Sequence, residues 1–173
     1  GITARTRDPS GGRVERDAQG NPSGVFVDNA QTLLARVMPP PTRDEERAAL
    51  KGAAAELHRW GLVGVHDAGE SRATIELMDE MARTGELDLR ACVMIGDDSA
   101  AIAHYFARGP VAGAHGGRLW VRSVKLYSDG ALGSRGAALK APYADDPRNT
   151  GLWRMDGTAL RNNMSRASME GYQ

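Results

Sequence analysis

Lys125 is one of only three lysines set against nineteen arginines, so its presence at the end of the run Leu119 to Tyr127 asks for a reason other than general basicity. Strand alternation places Leu119, Val121, Ser123, Lys125 and Tyr127 on one face and Trp120, Arg122, Val124 and Leu126 on the other. An ammonium group ending a mostly apolar face is poorly solvated, which drives its pKa down. A neutral amine is what a Schiff base, a general base or a lysine carboxylated by carbon dioxide requires. The alternative is a lysine whose stem lies along apolar surface while its head reaches water.

The segment that follows, Asp129-Gly130-Ala131-Leu132-Gly133-Ser134-Arg135-Gly136-Ala137-Ala138, spaces three glycines at intervals of three. Such glycines let backbone approach a ligand closely, and an arginine among them can clamp a carboxylate or phosphate through two hydrogen bonds. The spacing is not that of a dinucleotide fingerprint, a phosphate loop or a nucleophile elbow, since Leu132 stands where the elbow needs glycine. The other reading is a flexible connection between strand and helix.

His66 and Asp67 follow an apolar run, Leu62-Val63-Gly64-Val65, and are candidates for a metal ligand or a proton relay. The chain has four histidines and no H-x-H, H-x-x-H or H-E-x-x-H pair, so it holds no self-contained metal motif. As a direct ligand His66 is the weaker reading, and a hydrogen-bonded histidine at the rim the stronger. His58 and His104 fall on expected helices and His115 in a glycine-rich loop, as structural residues. Cys92 reads as a buried, inert thiol. The pairs Asp97-Asp98 and Asp145-Asp146 border turns or helix starts, where Asp caps backbone N–H groups.

The elements that must carry these residues are legible in the pattern. Arg13 to Asp17 and Gly24 to Asp28 read as a hairpin, and Pro39-Pro40-Pro41 as a boundary, giving a hairpin and loop segment over 1–41 and a second domain over 42–173. Thr42 and Glu45 form a capping box opening a helix with apolar face Leu50, Ala53, Ala54, Leu57 and Trp60. A buried strand Leu62 to Val65, a helix on Ile75, Leu77, Met78, Met81 and Ala82, a strand Leu87 to Ile95, a helix through Ile102 and Phe106, a strand Leu119 to Tyr127 and a helix from Asp156 complete the order. Strands separated by helices run parallel, so the fold class is α/β, with about three parallel strands and ligand chemistry beyond their C-terminal ends.

Twenty-two basic residues balance twenty-two acidic ones, and the arginines are scattered without basic runs, which argues against a nucleic-acid binder. No stretch approaches a membrane span, and neither a membrane partner nor a signal segment is read. The expected compartment is the cytoplasm. Oligomeric state is not legible.

Taken together, several segments resemble one family, the metal-dependent amidohydrolases, in the branch with YtcJ-like proteins and N-substituted formamide deformylase. The resemblance rests on Gly1-Ile2-Thr3, Asp8-Pro9, Gly11-Gly12-Arg13, Gly24-Val25 with Asp28, Gly61 to Gly69, above all Val124 to Ala137, then Ala141-Pro142-Tyr143 and Asn149-Thr150-Gly151. It implies a (β/α)8 TIM barrel, here partial, with an added β-segment, and hydrolysis of a C–N bond in a small amide or formamide by water activated on one or two divalent ions, zinc foremost. It implies that Lys125 carries a carbon dioxide-derived carbamate as a metal ligand. It also implies that the loop with Asp129, Gly130 and Ser134 borders the substrate, with Arg135 a candidate for substrate contact or for anchoring the loop; His66 and Asp67 stand as candidate rim residues by their own place at a strand end. The family's H-x-H, two later histidine strands and final Asp have no match, and a full barrel takes about 250 residues. The expectation is therefore a segment of a larger enzyme, inactive alone. Two further readings stand beside it: a noncatalytic module holding a small anion in the Gly130–Gly136 loop, and a segment that associates through open strand edges.

Overall fold

The computed structural model describes residues 1–173, which divide into two compact units: Gly1–Pro40 with Tyr127–Leu160, and Pro41–Leu126 with Arg161–Gln173. The boundary after Pro40 falls in the proline run. The segment Tyr127–Leu160 groups with the first forty residues.

In the first unit, β1 (Gly12–Arg16) and β2 (Pro22–Asp28) pair antiparallel. Their turn is fixed by Asp17, whose Oδ1 accepts from Gln19 N (2.9 Å) and Asn21 N (2.8 Å), a side-chain mimic of a backbone turn. Val14 and Val27 are buried, with Ala30 and Tyr143. A single turn, α1 (Thr32–Ala35), follows.

The second unit is a four-stranded sheet, β3 (Gly64–Glu70), β4 (Arg90–Ile95), β5 (Val111–Gly113) and β6 (Leu119–Val124), in spatial order β3-β4-β6-β5. The pairs β3–β4 and β4–β6 are parallel, as separation by α3 (Arg72–Thr84) and α4 (Ser99–Phe106) requires. β5 is antiparallel, because only one turn, α5 (Ala114–Gly117), joins it to β6. That short strand has no apolar run and escapes the sequence pattern. α6 (Gly157–Met169) follows β6 in the chain.

Local chemistry explains the helices. α2 (Arg43–Arg59) starts on the reciprocal Thr42/Glu45 capping box, α3 on Ser71, and α4 on Asp98, whose carboxylate accepts from Ala100 N and Ala101 N. α3 ends at left-handed Gly85, and all five residues of its expected face are buried. They pack with Ala91, Val93, Ile95, Leu119 and Val121 of the sheet and Ala101, Ile102, Tyr105 and Phe106 of α4 in one core.

Other expectations need correcting. On α2 only Ala54 is buried, and Trp60 is 75% exposed with its indole N–H on Glu56. The run Leu62-Val63 is not a buried strand: both side chains are largely exposed, and β3 begins at Gly64 as an edge strand. Leu87 and Leu89 are buried but precede β4.

The largest correction concerns β6. Register runs Ala91↔Leu119, Cys92↔Trp120, Val93↔Val121, then Met94↔Ser123 and Ile95↔Val124, so Arg122 is an extra residue. A bulge exchanges the faces of all that follows. Val124 and Leu126 therefore pack on the helix-covered core with Ile95, and Lys125 between them turns to the opposite face. Lys125 does not extend the face of Leu119 and Val121.

Candidate functional site

The helices leave one face of the sheet open. Across it lie His66 of β3, Cys92 and Met94 of β4, and Trp120 and Ser123 of β6, held in rows by the pairings His66↔Cys92↔Trp120 and Ala68↔Met94↔Ser123. A cavity of about 290 Å³ lies on this face, lined by His66, Cys92, Met94, Trp120, Ser123 and Gln173. Cys92 is half-buried in its wall, not enclosed in the core. Parallel sheets are ordinarily covered on both faces. An uncovered one with polar groups at its C-terminal strand ends is where an α/β fold places a ligand.

Lys125 follows β6 at that end. Its N–H bonds Ile95 O (2.8 Å), which continues the ladder one residue past Val124, and its side chain is half-buried. His66 is exposed on the same face, two residues before the end of the regular register. Beyond the Arg122 bulge, Gln173 donates to Arg122 O (2.9 Å) and accepts from Val124 N (2.7 Å), the pattern of a parallel pair.

Asp67 points the other way. It pairs in register with Val93 on the helix-covered side, and an extra residue in β3, Gly69 at φ 115°, returns Glu70 to that side opposite Ile95. The two carboxyls interact there. Burial foremost, then the charge of Asp67 and a hydrogen bond with it, pushes the Glu70 carboxyl above its ordinary range. Asp67 thus belongs with Glu70, away from His66. A glycine inside an alternating strand was the signal for this bulge.

In the first unit, the loop after β6 is a closed ring of hydrogen bonds. Gly130 N–H donates to Gly136 O (3.2 Å), Gly136 N–H to Ala131 O (2.9 Å) and Arg135 N–H to Leu132 O (3.0 Å). Asp129 uses both carboxylate oxygens inside it, accepting from Ser128 Oγ (2.8 Å) and Ala138 N (2.9 Å). The Ala138 amide, then the Ser128 hydroxyl, hold its carboxyl below the ordinary range. Ser134 Oγ donates to Ala131 O (3.2 Å). Arg135 is left-handed, φ 55°, exposed, and donates to Asp145 Oδ2 (2.6 Å), which raises its pKa and lowers that of Asp145. So Asp129 and Ser134 shape the loop, and Arg135 is engaged by a carboxylate rather than held open for an anion.

A divalent ion would need three or more ligands brought together. No group of three or more His, Cys, Asp or Glu side chains in this chain could hold one. His66 supplies one imidazole nitrogen on this face, and a carbamate on Lys125 would supply anionic oxygen donors, in place of the amine nitrogen, suited to hard or borderline ions. The residues present fit part of a metal shell and do not complete one.

The profile described as "Amidohydrolase family" (Amidohydro_3) matches residues 1–173. The chain is 29% identical over 178 residues to the putative amidohydrolase YtcJ of Bacillus subtilis (strain 168), covering all of this chain and 33% of that protein. It is 29% identical over 187 residues to LONG AFTER FAR-RED 3 of Arabidopsis thaliana, covering 31% of it. The chain thus spans about a third of the curated relatives it matches. Two crystal structures of uncharacterized metal-dependent hydrolases share the fold over 83% of this chain. The one from Pyrococcus horikoshii OT3 has TM-score 0.70 at 25% identity over 29% of its own chain, and that from Pyrococcus furiosus 0.71 at 22% over 30%.

Proposed function

The chain belongs to the amidohydrolase family, and from that premise we propose that it forms part of a metal-dependent hydrolase acting on a C–N bond of a small amide or formamide. The single observation that carries the reading is the bulge at Arg122. It turns the only lysine on a sheet strand end onto the open face, where His66 also lies. Without the bulge, Lys125 would point into the helix-covered core.

In this reading the sheet is a sector of a (β/α)8 barrel, and the open face looks into its interior. Three features support it: parallel β3, β4 and β6, a helix after each, and the parallel pairing of Gln173 beside β6. Lys125, carboxylated by carbon dioxide, is one ligand of one or two divalent ions, zinc foremost, and the remaining ligands come from outside these 173 residues. A divalent ion supplies such a reaction with a Lewis acid and an ionised water. The chain's own part is to hold Lys125 and His66 on the interior face and to present the Asp129–Ala137 loop to substrate.

Holding a small anion in the Gly130–Gly136 loop is disfavoured by the ring of hydrogen bonds, which already engages the Gly130, Arg135 and Gly136 amides. The test is hydrolysis of a panel of N-formyl and N-acyl amines by the full-length gene product, stripped of metal and refilled. Loss of groups that merely orient metal ligands costs 10–100-fold, so Lys125→Ala is expected to lower kcat/KM by at least about hundredfold. Equal rates in mutant and wild type would refute the assignment of Lys125.

A further inference from the structure

Asp28 closes β2 with φ 50° and ψ −123°, a backbone conformation that L residues rarely take and that persists only where the surroundings dictate it. Its Oδ2 is buried and has no hydrogen-bond partner. The same oxygen lies against the loop after β6. A Cβ on Gly136 would stand 2.5 Å from it, and one on Gly130 closer still. These two glycines are the ones whose N–H and C=O close the loop's ring.

Strain in the backbone and a buried oxygen without a donor are both unfavourable, and each calls for an explanation. They share one: both bring the Asp28 side chain between two residues that have none. Glycine at 136 is then required by the approach of Asp28, and glycine at 130 by Asp28 together with the Gly136 carbonyl, whose oxygen a Cβ would meet at 2.7 Å, not by backbone freedom, since neither takes a positive φ. The buried oxygen has no access for a small molecule, so the contact acts on loop shape.

We infer that Asp28 is a positioning residue for the Asp129–Ala137 loop. By filling the space between Gly130 and Gly136 it fixes the ring from which Ser134 and Arg135 project. The functional half of this inference rests on the proposed reading that the loop borders substrate. The structural half does not.

A double-mutant cycle in the full-length protein tests it. Gly136→Ala drives a Cβ onto Asp28 Oδ2, the next atoms being Gly130 Cα and Ala131 N at 3.2 and 3.3 Å. Asp28→Gly removes the obstacle and tolerates the positive φ. Each single variant is expected to quicken hydrogen exchange of the Gly136 and Ala138 amides about tenfold, and the double variant to stay within about threefold of the singles, because one contact is lost in all three. Exchange within about twofold of wild type in the singles, or about hundredfold faster in the double, overturns the contact. Amides of β4 serve as the folding control. If they too lose protection, Asp28→Asn decides instead: it keeps the side chain's size and is expected to retain wild-type loop exchange, and loosening there as large as in Asp28→Gly overturns the inference.

Kinetics then separate positioning from mere folding. Asp28→Ala is expected to raise KM about tenfold with kcat within about threefold. A fall in kcat at unchanged KM, the mark of fewer folded molecules, counts against positioning. Absence of any hydrolysis by wild type would sink the proposed function alone, leaving exchange to decide the contact.

Discussion

A lysine at a strand end can serve a ligand only if its amine faces the side where the ligand sits. Lys125 meets that condition through a register slip one residue wide, which simple alternation misplaces. Its rarity in an arginine-rich chain was legible, but its direction was not, because a bulge at a polar residue leaves no mark in a hydrophobic pattern. Asp129 and Arg135 show the converse. Both were readable as chemistry-bearing, and the structure engages them with the loop's own amides and with Asp145. The Asp67–Glu70 pair, absent from the sequence pattern until Gly69 is seen as a bulge, makes its own prediction. The folded Glu70 carboxyl holds its proton to higher pH than the unfolded one. Its contribution is therefore fully present below the unfolded glutamate pKa, about 4.3, and is lost as pH rises through the raised folded value. Glu70→Gln should flatten that decline in urea midpoints measured between pH 4 and 8. An identical pH profile in the mutant would show that the pair does not couple to stability.

At the scale of elements, legibility followed local chemistry. The capping box of α2 and the Asp98 cap of α4, both read from the sequence, act within one turn of the residues that set them. The α3 face was read in full because a 3.6-residue period with five large or small apolar groups has one burial solution. The α2 face was not. Its period is as good, yet Leu50 and Leu57 only border the core and Trp60 lies in solvent. Periodicity tells which residues share a face, not whether a partner covers it. Two substitutions separate these cases. Leu77→Ala, at a site with no exposed surface, should cost about 2–5 kcal/mol in urea unfolding. Trp60→Ala in this chain should stay within about 0.5 kcal/mol, as for an exposed site. A large loss at Trp60 would mean that the helix has a packing partner the structure does not contain.

At the scale of the molecule, the sheet is built as if for further cover. β3 offers an unpaired edge flanked by exposed Leu62 and Val63, and the face bearing His66, Trp120 and Lys125 has no helices over it. Exposed edges of this kind invite pairing. This chain by itself should therefore sediment as species larger than a monomer at micromolar concentration, and Val63→Lys should shift it toward monomer. A clean monomer for the wild-type chain would show that the edge is protected in some other way. No helix is long and apolar enough to cross a membrane. Carboxylation and metal ligation at the bulge-directed Lys125 would be read in the metal content of the protein. Full-length protein prepared in bicarbonate should retain one or two divalent ions per chain. Lys125→Ala should lose at least one of them and recover it when a short carboxylic acid such as propionate fills the vacated space. Equal metal content in wild type and Lys125→Ala would show that Lys125 holds no metal.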